Sequence, residues 1–350
     1  MKDTKIEWCD HSWSPWRGCT KVSAGCAHCY AETLSKRNPA VLGQWGNGKP
    51  RVLAKNWNDP VKWNKHWSFT VQCSKCGWRG DQRKGCGCHY KFHSASRPRV
   101  FPSLCDWLDD EVPIELLARF LKLIHDTPNL DWLLLTKRPE NWAVQMDTLR
   151  RMTGATFECA QRVASEWCSG RTPPNVWVGT SVEDQANTDR RIPELLKIPA
   201  RLRFLSVEPL LGPVDLSGTR GSNDGMGLCW DWTGNPIHVP HCDYAAVGKA
   251  PPNGPSIDWV IVGGESGPGA RPCNVEWIGD IVRQCAAAGT ACFVKQVGSN
   301  PVGPDNGTYV GDPPPTRIVS WKEFISHPKG GDPAEWPEDL RVRQMPEVVP

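Results

Sequence analysis

Six short apolar runs punctuate the chain: RVFPSL from Arg99, WLLLTKRP from Trp132, NVWVGTSVED from Asn175, RFLSVEPL from Arg203, WVIVGGESG from Trp259 and ACFVKQ from Ala291. Their β-branched and aromatic character is continuous, with little alternation of polar and apolar positions, the pattern of strands covered on both faces. Helical periodicity fills the gaps. PIELLARFLKLIHDTP places Ile114, Leu117, Leu121 and Ile124 on one stripe between Pro113 and Pro128. DQANTDRRIPELLKIPA follows the third run, and VEWIGDIVRQCAAAG, ending at Gly289, separates the last two. A seventh strand is expected at HSWSPWRGC. Strand and helix in alternation predict a parallel α/β architecture, a full or partial (β/α) barrel, with an open doubly wound sheet as the second choice.

Polar side chains recur where these runs end: Asp106, Lys137 and Arg138, Ser181 and Glu183, Glu208, Glu265 and Ser266, Lys295 and Gln296. In a (β/α) barrel such strand ends converge on the face that carries active sites, so a polar pocket and an enzyme are expected. Gly263 and Gly264 belong to no GxGxxG and no GK[ST], which excludes the specific dinucleotide and phosphate-loop signals. They predict a turn in which bare backbone approaches a ligand, with Glu265 as a carboxylate anchor. Among the isolated cysteines, Cys105 is the catalytic candidate, because it ends a predicted strand on the same face.

The chemistry concentrates in GCTKVSAGCAHCY, where Cys19, Cys26 and Cys29 are separated by six and two residues. A structural zinc site wants four ligands, whereas an iron–sulfur cluster held by three cysteines leaves one iron open. The competing reading is a zinc site completed by a remote cysteine or by His28. Two segments interrupt the strand pattern. Residues 71–93 carry Cys73 and Cys76 as CxxC and Cys86 and Cys88 as CxC, four thiols in a Gly-rich, charged loop that predict a small zinc-ribbon-like insert with a structural Zn2+. Residues 217–257, rich in Gly, Pro and Asn, hold Cys229, His238, His241 and Cys242 at a spacing that fits no standard site. The predicted organisation is therefore a barrel over 1–300, these two inserts, and a C-terminal extension over 301–350.

Bulk properties narrow the class. At 350 residues, a net charge of +3 and a pI near 8.1, no global field demands nucleic acid or an acidic membrane. The N-terminus has no apolar h-region and no run of 18 uncharged apolar residues occurs, so a cytoplasmic protein that spans no membrane is expected. There the 16 cysteines would stay reduced and available to metals. Tryptophan is frequent, 19 residues against 4 Tyr, which points to core packing or stacking surfaces.

The combination EWCDHSWSPWRGCTKVSAGCAHCYAE, LLLTKRPE, NVWVGTSVEDQANTDRRIPELL, RFLSVEPLLGPV and DWVIVGGESGPGARP resembles a phage-associated family with a three-cysteine motif and a domain of unknown function. That family in turn is similar to a divergent branch of the radical S-adenosylmethionine superfamily, which holds a [4Fe–4S] cluster through three cysteines after the first strand of a partial barrel. The first gap here is longer than the superfamily's, and the second matches it.

The resemblance implies S-adenosylmethionine as cofactor and a 5′-deoxyadenosyl radical that abstracts hydrogen from a substrate. The resemblance itself assigns none of the other residues; position at the strand ends makes Ser181 and Glu183 the candidate contacts to ribose or methionine, and Glu208 or Glu265 the candidate partner of the methionyl amine. Lys137, Arg138 and Lys295 would meet carboxylate or phosphate groups. It also implies an electron donor and leaves room for a partner protein. Phage context and the basic residues of the 71–93 insert point the substrate towards a nucleic acid base or nucleotide. Two alternatives stay open: a non-catalytic zinc protein binding nucleic acid, and a hydrolase working through Glu183, Glu208 and Glu265.

Overall fold

The computed structural model describes residues 3–65, 70–73, 79–81, 92–216, 256–303, 321 and 325–346. Seven strands form one parallel sheet: β1 (His11–Ser12), β2 (Arg99–Phe101), β3 (Asp131–Thr136), β4 (Val176–Ser181), β5 (Leu202–Val207), β6 (Trp259–Gly263) and β7 (Ala291–Gln296). Their spatial order is their order in the chain. A doubly wound sheet reverses its order at a switch point; this one never does, and its topology is that of a partial (β/α) barrel. Strand β4 is buried at every position and β3 at all but one, as continuous apolar runs require when both faces are covered.

Each predicted strand is present, and β1 is the shortest. It pairs with β2 only through His11 and Ser12, because Pro15 offers no amide to continue the ladder. Trp16–Arg17 then leaves the sheet and pairs antiparallel with Val52–Leu53. That departure starts the cysteine loop.

By compactness the chain divides into two units: Met1–Thr180 with Ile198–Leu202 and Glu347–Pro350, and Ser181–Lys197 with Arg203–Pro346. In the first, helix α1 (Tyr30–Ser35) closes the cysteine loop and helix α2 (Ile114–Asp126) buries Leu117, Leu121 and Ile124 on the predicted stripe. Phe120 of α2 lies 5.3 Å from Trp132 and 6.1 Å from Trp16, edge to face, so tryptophan here is core material. In the second unit, helix α3 (Gln185–Lys197) follows β4, and helix α4 (Val275–Ala288) ends at Gly289 with φ +68°, the left-handed cap its sequence predicts. Residues 325–346 belong to this unit. Val294 N donates to Val342 O at 2.8 Å and Gln344 N to Cys292 O at 2.8 Å, so residues 342–344 line the edge of β7.

In the 71–93 insert, Thr70–Cys73, Arg79–Asp81 and Phe92–Ser96 form a three-stranded antiparallel sheet with the first of them central. Cys73 is buried there. Cys76, Cys86 and Cys88 lie outside the described residues, as do Cys229, His238, His241 and Cys242 of the second interruption. No described helix is long and apolar enough to cross a membrane.

Candidate functional site

The first unit gathers the three cysteines onto one loop that opens directly after β1 and the Trp16–Arg17 pairing. Gly18, with φ +111°, turns the chain into Cys19, and a Cβ there would lie 2.6 Å from Gln44 O. Gly43, with φ +83°, approaches from the other side, where a Cβ would lie 2.4 Å from Arg17 O. Two strands of backbone thus pass too close for any side chain, and Gly46 N seals them by donating to Cys19 O at 3.0 Å. Cys26 ends a single 3-10 turn, Ala24–Cys26, and Cys29 precedes α1, its carbonyl accepting from Thr33 N at 3.0 Å. All three cysteines are half-buried.

Around Cys19 the charged groups are fixed. Arg138, just after β3, donates through Nη1 to Cys19 Sγ at 3.6 Å and to Asp106 Oδ2 at 3.0 Å, and through Nη2 to Thr20 O at 2.8 Å. Asp106, in the loop that follows β2, also accepts from Thr136 Oγ1 at 2.6 Å, Lys137 N at 2.9 Å and Leu108 N at 3.1 Å. Thr20 donates to Glu111 and accepts from Arg51 Nη2 at 2.9 Å, while Arg51 Nε is held by Asp109 at 2.8 Å. Burial, and after it the charge of Asp106, pushes the Cys19 thiol up to about 12, against the opposing pull of Arg138. A bound metal would reverse that balance, since a coordinating thiol is deprotonated outright.

Cys105 stands in the same neighbourhood. Burial, followed by the nearby Asp106 and Cys19, drives its thiol well above the ordinary value, against the opposing hydrogen bond with Ser14. That is a poor setting for a nucleophile.

The second unit brings together the remaining strand-end residues. Glu183, two residues past Ser181, accepts from Arg191 Nη1 at 2.8 Å, and Arg191 also caps Ser181 O at 2.8 Å. Glu208 binds Lys295 Nζ at 2.5 Å and Gln296 Nε2 at 3.3 Å. Glu265 accepts from the amide of Arg271 at 2.9 Å and from its Nε and Nη2 at 3.0 and 2.6 Å. Each carboxylate therefore has its own cation, and Arg271 is held above its usual range chiefly by the Glu265 hydrogen bonds. The glycine pair serves packing: a Cβ on Gly264 would lie 2.4 Å from Val297 O, and one on Gly263 3.0 Å from Gln296 O. The close approach predicted for these glycines is to the chain's own backbone, where the β6–β7 register shifts.

Sequence reasoning passed over Thr20, Arg51, Asp109 and Glu111 beside Cys19, and Arg191 and Arg271 in the second unit. None belongs to a local motif that marks it. Arg51 reaches the loop only because residues 52–53 return to pair with 16–17.

Among the described residues, one group of possible ligands has its donor atoms within 4.8 Å of one another: His125, Asp126 and Cys159. Arg162 meets His125 Nε2 at 3.1 Å and Lys122 pairs with Asp126, so this exposed trio is an ion-pair network already supplied with cations. Cys19, Cys26 and Cys29 do not form such a group.

Residues 3–311 match the family described as "Protein of unknown function (DUF5131)", and the chain belongs to that family. No curated protein and no solved structure matches it.

Proposed function

We propose that this DUF5131 protein is a radical S-adenosylmethionine enzyme in which Cys19, Cys26 and Cys29 hold an iron–sulfur cluster with one iron open. The observation that carries the reading is the arrangement of the donors: three thiols on one glycine-hinged loop, opening after the first strand of an all-parallel sheet. Three thiols are one ligand short of the closed tetrahedron of a structural zinc site. When bound, such a group supplies one-electron cleavage of the sulfonium, and so a 5′-deoxyadenosyl radical that abstracts hydrogen from the substrate.

The chain's own residues have definable parts. Gly18 and Gly43 fix the loop that presents the thiols, and Asp106 ties the loop after β2 to the end of β3. Of the ion pairs made by Glu183, Glu208 and Glu265, that of Glu208 with Lys295 is the most open, 19% and 30% exposed. A carboxylate beside an ammonium is complementary to the ammonium and carboxylate of an amino acid. Glu183 and Ser181 are enclosed with Arg191 at the end of β4.

The test is anaerobic reconstitution of the full chain with iron and sulfide. About four irons per chain are expected, with the brown colour lost in Cys19→Ala, Cys26→Ala and Cys29→Ala. Retention of zinc alone, with no cluster, would replace the reading with that of a zinc protein.

A further inference from the structure

We propose that Arg138 is the positioning residue of Cys19 and sets how readily the three-thiol centre accepts an electron, an inference that rests on the cluster reading above. The guanidinium is not a solvated surface cation: its side chain is 6% exposed and every edge is engaged. Nη1 is shared between Cys19 Sγ at 3.6 Å and Asp106 Oδ2 at 3.0 Å, Nη2 reaches Thr20 O at 2.8 Å, and Nε faces Asp110 at 3.5 Å. Its own amide is fixed by Thr136 Oγ1 at 2.9 Å. A planar fork held on three sides delivers one N–H to the sulfur in a set direction, which a lysine ammonium cannot reproduce.

The electrostatics of the loop are uneven as a result. Cys19 receives a charged donor, whereas Cys26 meets the neutral hydroxyl of Ser23 at 3.9 Å. Reduction adds negative charge to the centre and its thiolates. A fixed positive charge that also hydrogen-bonds a ligand sulfur favours that reduced form and raises the potential. Removing it leaves Asp106 with three donors, Thr136 Oγ1, Lys137 N and Leu108 N, so the loop after β2 keeps its anchors.

The experiment is a midpoint potential, read by electron paramagnetic resonance during anaerobic titration with dithionite as one-electron donor, on reconstituted full-length protein. Parent, Arg138→Gln and Arg138→Lys are compared, each with its iron content. The expected result is parental iron in Arg138→Gln with reduction disfavoured about tenfold, 59 mV for one electron, and an intermediate shift in Arg138→Lys. Parental iron with a parental midpoint in Arg138→Gln would overturn the role of Arg138 while leaving the cluster reading intact. If Arg138→Gln fails to fold, Arg138→Lys decides: an unshifted midpoint overturns the proposal. A parent that binds no iron would overturn the cluster reading and this inference together.

Discussion

Glu183 Oε2 lies 2.8 Å from Arg191 Nη1, and neither side chain is exposed to any degree. The pair joins the end of β4 to the helix that follows it, eight residues later in sequence. Breaking a buried pair by removing one partner leaves an uncompensated charge, which costs about 3–5 kcal/mol. Arg191→Met is therefore expected to lower the urea midpoint of unfolding sharply. Glu183→Gln combined with Arg191→Met should lose less than Arg191→Met alone, because no charge is stranded.

A methyl group at Gly18 meets two obstacles at once: a φ of +111° and Gln44 O at 2.6 Å. Strain of this kind costs about 1–3 kcal/mol. Gly18→Ala is expected to lower Tm and to reduce the iron bound per chain, since the same bend delivers Cys19. Gly48, with φ +68° but nothing within 4 Å of a Cβ, is the control. Gly48→Ala should bind iron at the parental level.

Acid should loosen the cysteine loop. The hydrogen bond from Thr20, then those from Gly48 N and the charge of Arg51, hold the Glu111 carboxyl below its ordinary 4.5. A depressed carboxyl contributes stability that is present above 4.5 and lost as pH falls through its lower, folded value. Alkylation of Cys19 in the metal-free protein should therefore accelerate below pH 4.5 relative to its rate after denaturation at the same pH. Glu111→Gln should abolish that acid-dependent difference.

Cys105 separates the readings of the thiols. It is half-buried, its thiol is held well above the ordinary value, and it stands outside the three-cysteine loop, so Cys105→Ala is expected to retain parental iron where Cys19→Ala loses it. Iron and sulfide analysis of the two variants checks this. Equal loss in both would make Cys105 a ligand.

Much of the architecture was legible because it rests on local pattern. Runs such as WLLLT and NVWVGTS are apolar without alternation, and both faces of β3 and β4 are indeed covered. Gly289 and the α2 stripe were readable for the same reason. The partners of the strand-end residues were not, since they are contacts across long sequence separations. Nothing near Cys19 announces Arg138, 119 residues away, or Arg51. The turn at Gly263 and Gly264 was readable as a close approach, but a sequence does not say whether the approaching atom belongs to a ligand or, as here, to Val297 and Gln296. The early end of β1 was written in Pro15, whose missing amide stops a ladder that the apolar pattern alone would continue.

The central claim is that three thiols leave one iron open to S-adenosylmethionine. It is tested most directly by the electron paramagnetic resonance spectrum of the reduced, reconstituted protein before and after S-adenosylmethionine is added. The account predicts a signal whose g values move on addition, and which does not form in Cys26→Ala. A cluster signal that S-adenosylmethionine leaves unchanged would mean that no iron is open to it, and would contradict the account.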